Sequence, residues 1–333
     1  MSTAQLVPET WELTGDEAAE TLRRARFGPL LRDAVIRFRA ADGMSHSRSL
    51  AFAVILTIIP GIIVAVGVAS LAGAGSLRES IAEFFTNVSP GPTGEILTAA
   101  ISQGAETSNN GPLPLILGSI AMVVSGCTVF GQIERAGNRI YGVEQDRPFV
   151  EKYGRALAMF VASFVLAAVM FFLFEVRPSF LRDLDLGGPG WLWVIGRVLI
   201  VVAIIVPSFA VIFKLSPRRH QPGLSWLAVG SSIAALLWLV STGALALFWG
   251  QGETFGETYG PLAGVIGLAL WAYLIAIGVL LGLSFAAQLE AVRAGYSEPQ
   301  DEEKVKESEP DAEPSQTDAQ QPEREVEKEK VAS

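Results

Sequence analysis

Six uninterrupted apolar blocks of membrane-spanning length constrain this chain more than any other feature. They are about Leu50–Leu71, Leu113–Ile133, Ala156–Val176, Trp191–Phe213, Leu224–Trp249 and Pro261–Leu289. A helix needs about 20 apolar residues to cross roughly 30 Å of hydrocarbon. None of the blocks carries a central Asp, Glu or Lys, and Arg197 is the one arginine well inside a block. In hydrocarbon every backbone polar group must be satisfied within its own segment, so such blocks fold as helices. The expected fold is therefore all-α, a polytopic bundle of six transmembrane helices with amphipathic helices at the interfaces.

Loop charges set the expected orientation. Before the first block stand Arg23, Arg24, Arg26, Arg32, Arg37, Arg39 and Arg48. The second loop holds Arg135, Arg139, Arg147, Lys152 and Arg155, and the fourth holds Lys214, Arg218 and Arg219. The remaining loops contribute Arg78, Arg177 and Arg182, so alternate loops carry 15 bases against 3. The positive-inside rule then puts both termini in the cytoplasm.

The net charge of −9 is not spread over the chain. Residues 297–333 hold 13 acids and 5 bases, which leaves 21 acids and 20 bases elsewhere. That tail has almost no large apolar side chain and is expected to be disordered, as are residues 1–15. The expected divisions are 1–15, an amphipathic cytoplasmic helix region 16–48, a membrane domain 49–292 and an acidic tail 293–333.

Within 16–41, Phe27, Leu30, Leu31, Ala34, Val35 and Phe38 recur at helical spacing among arginines. This pattern predicts a helix either lying on the inner leaflet, where anionic headgroups are its partners, or packed on the end of the bundle. The first outer loop, Ala72–Pro112, predicts two further amphipathic helices, one through Leu77–Val88 and one through Ile96–Ile101, separated by Pro90-Gly91-Pro92.

Residue types that carry catalysis are sparse. Phosphate-binding glycine loops, HExxH and GxSxG are absent. His46, His220 and Cys127 cannot build a zinc site, and Cys127 reads as a small packing residue. No cofactor, metal, catalytic set or nucleic-acid surface is expected.

The polar groups of interest are those near hydrocarbon depth. Arg197 either snorkels outward or turns inward to pair with Glu175, where it could hold an anionic group. At the end of the second block, Glu134, Asn138 and Tyr141 share one helix face, and Arg135 and Arg139 share its neighbour. These residues read either as an ion-paired helix end or as a polar cytoplasmic vestibule. Pro60-Gly61, Pro207 and Tyr259-Gly260-Pro261 are candidate hinges, because proline removes a backbone donor inside a helix. Gly230 and the Gly278xxxGly282 pair predict close helix contacts.

Four segments resemble the YihY / virulence factor BrkB family of bacterial inner-membrane proteins. They are AFAVILTIIP (51–60), GNRIYGVEQDRPFVEKYGRAL (137–157), FKLSPRRHQPGLSWLAVGSSIAALLW (213–238) and the stretch 257–291 that opens ETYGPLAG. The resemblance covers about residues 30–292. It departs at Pro261, where the family commonly has a small polar residue, and in a first span poorer in Tyr and Ser. It implies six spans and an inner-membrane location. Members have been labelled ribonuclease BN, a label these residues do not support. The function expected from the residues and the resemblance is a transporter or flippase-like protein for an anionic or amphiphilic envelope molecule. A non-transporting scaffold or regulator of the envelope is the alternative.

Overall fold

The computed structural model describes residues 2–71, 113–175, 190–250 and 261–308. Among them the chain is helical, in the order α1 (Gly15–Ala25), α2 (Phe27–Ala40), α3 (Gly43–Leu71), α4 (Leu113–Ile140), α5 (Phe149–Glu175), α6 (Gly190–Leu215), α7 (Leu224–Gly250), α8 (Pro261–Arg293) and α9 (Glu302–Ser308). The expected interfacial helices of Ala72–Pro112, the Tyr259-Gly260 turn and the tail beyond Ser308 lie outside the described residues.

Helices α3 to α8 are the long elements, each at least 26 residues and so about 40 Å or longer at 1.5 Å per residue. Five contain stretches long and apolar enough to cross a membrane: Gly43–Ala65, Leu115–Ile140, Val198–Leu215, Leu224–Leu247 and Gly264–Arg293. The expected third span falls on α5, whose first turns carry Glu151, Lys152 and Arg155. Its side chains beyond Val169 lie outside the described residues.

The connections 141–148 and 216–223 and the segment after α8 are tied to one another by hydrogen bonds at one end of the bundle, here the polar end, and residues 2–14 link the end of α2 to them. The long helices therefore alternate in direction. Their outward faces are apolar: Phe52, Val124, Leu199, Leu236 and Leu247 are all more than half exposed. A helix that is apolar all round belongs in lipid or a deep core, and these faces are not covered by protein.

Neighbours pack in a definite sequence. α5 packs on α4, α4 on α3, α3 on α8, α8 on α7 and α7 on α6. Among the described residues the ring is incomplete, because α5 and α6 make only sparse contact with each other. The tightest pairing is α7 with α8. A Cβ on Gly230 would sit 2.5 Å from the Gly282 carbonyl, and one on Gly282 would sit 2.6 Å from the Gly230 carbonyl. Lipid offers no hydrophobic force between helices, so small residues that allow backbones to approach supply the packing instead. This agrees with the expectation drawn from their spacing.

Three stretches differ from the sequence reading. The amphipathic stretch 16–41 is two helices broken at Arg26, which takes a φ of 63°. The break has a packing cause: α1 lies against α7, whereas α2 lies against α8 and buries Leu30, Ala34, Arg37 and Phe38. Residues 2–14, expected to be disordered, instead form an extended strap across the polar end. Its bonds include Thr3 N to Ala40 O (3.0 Å), Gln5 N to Pro299 O (3.2 Å) and Val7 N to Tyr141 O (3.1 Å). The strap is held by backbone hydrogen bonds to distant residues, which local composition does not report. The tail is likewise ordered through α9, where Lys304 Nζ lies 3.0 Å from Glu144 Oε1.

Candidate functional site

Two places concentrate features beyond plain helix packing: the polar end, and the gap in the ring between α5 and α6.

At the polar end, α4 delivers Glu134 and Asn138 from one helix face, Tyr141 follows its last residue, and all three are buried. Each has a different partner set. Glu134 pairs with Arg147 at 3.1 Å, both side chains being about 5% exposed. Arg147 donates further to the Ser216 and Pro217 carbonyls, at 2.7 Å each. The connection before α7 is thereby fastened to the connection before α5. Asn138 donates to Asp146 Oδ1 at 2.9 Å and accepts from the Arg218 backbone N–H at 2.7 Å. Lys152 reaches Asp146 at 2.9 Å and Arg135 reaches it at 3.4 Å. Burial works against the Asp146 carboxylate, but the hydrogen bonds from Asn138 and Lys152 outweigh it and hold the carboxyl below its usual range.

Tyr141 joins a second, deeper group. The Arg219 guanidinium stacks over its ring at 4.4 Å. Arg219 also pairs with Glu290 at 2.7 Å, with both side chains essentially without exposure. Glu290 accepts from the Thr10 hydroxyl of the strap, and Arg219 donates to the Pro8 carbonyl at 2.8 Å. Arg37, fully buried, donates to Gln288 Oε1 (2.8 Å), Gln5 O (2.7 Å) and Ile140 O (3.2 Å). Burial pulls its pKa down to about 10, so it stays charged near neutrality. The same desolvation raises the Tyr141 phenol.

The sequence brought five of these residues forward, and the structure gathers them at one end. Glu134, Asn138 and Tyr141 lie inside the network, Arg135 at its exposed edge, and Arg139 half-buried with its carbonyl accepting from Ser2 Oγ at 2.9 Å. Glu134 and Asn138 bind protein partners rather than line an open vestibule. The side chains of Arg197 and Glu175 lie outside the described residues, so their pairing has no place in this geometry. Sequence reasoning passed over Arg37, Arg147, Arg219, Asp146, Gln288 and Glu290. A signal for two of them was present: Gln288 and Glu290 interrupt the end of an otherwise apolar helix.

The gap in the ring is a different environment. Between α5 and α6 lies a cleft of about 740 Å³, lined chiefly by Met159, Ala162, Ser163 and Leu166 on one side and Ile204, Pro207, Ser208 and Val211 on the other. Pro207, a hinge candidate, is thus a wall of the cleft, and α6 continues through it as α3 continues through Pro60-Gly61. The Ser208 hydroxyl bonds back to Ile204 O at 2.5 Å. Arg155 also lines the cleft, near its polar end, half-exposed and 3.3 Å from Glu151. Lys214 stands exposed beside the lining residue Leu215.

Among the described residues no group of three His, Cys, Asp or Glu side chains is placed to hold a metal.

Comparison with known proteins fits this helical membrane architecture. A UPF0761 membrane protein of Azoarcus sp. (strain BH72) is 26% identical over 261 residues, 77% of this chain and 62% of the relative. Others from Xanthomonas oryzae pv. oryzae (strain PXO99A) and Xanthomonas campestris pv. campestris (strain B100) are 27% and 26% identical over 256 residues, 74% of this chain and 57% of each relative. The chain thus spans about three fifths of the length of the curated relatives it matches. No solved structure matches the chain. The family model described as Virulence factor BrkB matches residues 34–307, nearly all of the described helical region, and the chain is a membrane protein belonging to that family.

Proposed function

We propose that this protein is a carrier of flippase type for an anionic amphiphile, and that the cleft between α5 and α6 receives the apolar part of that molecule. The carrying observation is the incomplete ring: an apolar cleft of about 740 Å³ bounded by two helices whose described residues scarcely touch, with Arg155 in its wall. Acyl chains match the apolar lining, and a phosphate or carboxylate headgroup matches Arg155 and Lys214. The exposed Arg23, Arg24, Arg26, Arg32 and Arg39 of the N-terminal helices would face anionic headgroups of the same leaflet. In this reading the polar end is cytoplasmic, as the loop bases imply. The protein is proposed to act without catalysis.

The test is reconstitution. Liposomes holding the full chain should move a fluorescent anionic phospholipid between leaflets faster than protein-free liposomes. Replacing both Ser163 and Ser208 by Trp fills the cleft and should abolish the difference. Equal movement with and without protein refutes the carrier reading.

One observation favours a second reading, a non-transporting scaffold. The ends of α2, α4 and α8 and the starts of α5 and α7 are fastened together by buried ion pairs and the strap, a rigid platform for a partner protein. Removing residues 2–14 separates the two: a scaffold loses envelope function, whereas a carrier keeps both envelope function and lipid movement in liposomes.

A further inference from the structure

We infer that the buried group formed by Arg37, Tyr141, Arg219 and Gln221 is a binding site for one small inorganic anion of halide size.

The first argument is charge. Arg37 and Arg219 are both buried, and each acts electrostatically on Tyr141 and on the other. The carboxylate they share is Glu290. Arg37 itself is bonded to Gln288 Oε1 and to backbone carbonyls, none of which carries a formal charge. Ile140 O belongs to the C-terminal end of α4, whose dipole supplies about half a negative charge at most. Among the described residues, two buried guanidinium groups therefore share one carboxylate. Burying an uncompensated cation is expensive, and a bound anion would offset it.

The second argument is unspent donors. Among the described residues, the buried Tyr141 hydroxyl, Arg219 Nε and Gln221 Nε2 make no hydrogen bond of normal length and angle. The Gln221 carboxamide acts on the Tyr141 hydroxyl as its polar neighbour, yet neither completes a hydrogen bond of normal geometry. The Nη edge of Arg219 is occupied by Glu290 and the Pro8 carbonyl, which leaves the Nε edge free. Buried polar groups are almost always satisfied, so three orphan donors from two chain segments point to a missing acceptor. Gln221 Oε1 is also unsatisfied and would take a donor from a water beside the anion. Water alone would satisfy the donors but would leave the charge excess standing.

The third argument is enclosure. Tyr141, Arg37 and Glu290 are 0% exposed and Gln221 is 6% exposed. The strap roofs the group through the bonds at Val7 and Pro8. A lipid headgroup would need a path for its chains, so the ligand is a small ion. The inference does not depend on the cleft or on transport.

The probe is halide itself. Full-length protein is purified in sodium gluconate, and chloride or bromide is introduced at constant ionic strength while the unfolding temperature is read. A saturable rise is expected, following mass action. Tyr141→Phe and Gln221→Leu should each weaken the apparent halide affinity about tenfold, the effect of losing one hydrogen bond to a charged group. Arg155→Ala, in the cleft, should leave the halide response unchanged. Crystals soaked in bromide provide a readout that needs no variant: an anomalous peak is expected within hydrogen-bond reach of Tyr141 Oη. Identical unfolding temperatures in gluconate and halide, a halide response untouched by both variants, or a water with no anomalous signal at that position would each overturn the inference.

Discussion

The polar end and the α5/α6 cleft lie in one bundle and obey opposite rules. At the polar end, charged side chains are buried, paired and tied to chain segments far apart in sequence, as Arg219 is tied to Pro8 and Glu290. Along the cleft, small and aliphatic side chains face each other across space, and most of the few polar ones are serines, of which Ser208 is bonded within its own helix. Breaking a pair at the polar end strands a charge where no water can reach it. Changing a cleft residue alters a surface that lipid already touches. The lesson is that rigidity and sensitivity to mutation follow the buried charges, while open space lies where contacts between helices are fewest.

The largest effect should come from splitting the deepest pair. Arg219→Leu leaves Glu290 buried without its cation, and removing one partner of a buried pair costs about 3–5 kcal/mol. Removing both, as Arg219→Leu with Glu290→Leu, should recover most of that loss, because two apolar side chains of similar volume need no compensation. Thermal unfolding of the purified protein in detergent reads both variants. A single variant as stable as wild type would mean the polar end is not the rigid region it is described to be.

Next in size is the α7/α8 contact. Gly230→Ala puts a methyl 2.5 Å from the Gly282 carbonyl and 2.7 Å from the Ala286 Cβ. Both are fixed groups in a helix, so the helices must separate, at about 1–3 kcal/mol for an overpacked site. Gly243→Ala on the same helix meets nothing within 4 Å and should be neutral or slightly stabilising. The difference between these two alanines measures the contact itself.

A smaller and more local effect is expected at Gly142. Its φ of +74° is unfavourable for a side chain, and a Cβ there would come within 2.7 Å of the Leu6 backbone in the strap. Gly142→Ala should cost about 1–2 kcal/mol, the penalty of a left-handed residue, and should loosen the strap before the bundle. Limited proteolysis should then cut residues 2–14 faster than in wild type, with the unfolding temperature little changed.

These positions also show how far the sequence could be read. The helical membrane bundle was legible because hydrocarbon permits few solutions, and the length of each apolar block states the answer directly. Gly230 and Gly282 were legible because small residues at fixed spacing have one main use in lipid. Glu134, Asn138 and Tyr141 were legible as one helix face, but their partners Arg147, Asp146 and Arg219 were not, since each comes from a connection whose path depends on the whole fold. The strap was illegible for the same reason. Residues 2–14 look like solvent-exposed chain until the carbonyls and carboxylate that receive them are assembled from α2, α4 and α8. The cleft was illegible because it is a missing contact, and the apolar sequences of α5 and α6 would read the same with the gap closed.

Acid should touch the polar end weakly and with a definite sign. The Asp146 carboxyl is held below its usual range in the folded protein. The stability it contributes is therefore complete above the ordinary carboxylate pKa and is lost as pH falls through the lowered folded value. Asp146 is partly exposed, so the contribution is modest. Unfolding temperatures taken from about pH 6 to about pH 3 should fall less steeply for Asp146→Asn than for wild type, by at most a few degrees. Identical slopes would show that Lys152 and Asn138 do not favour the charged form.

The smallest effect on stability should be found in the cleft, and there the comparison becomes a test of function. Val211 is more than 40% exposed and faces the gap, so Val211→Ala removes little packing and should shift stability by no more than about 0.5 kcal/mol. Ser163→Ala should be equally quiet. If the cleft receives acyl chains, filling it with Ser163→Trp should slow lipid movement in liposomes strongly while the unfolding temperature stays near wild type. Arg219→Leu should do the reverse: once refolded material is normalised for its lower stability, its lipid movement should be largely intact. Strong loss of movement in both variants would tie the two regions together. The polar end would then take part in transport, and the division argued between a rigid end and a working side would fail.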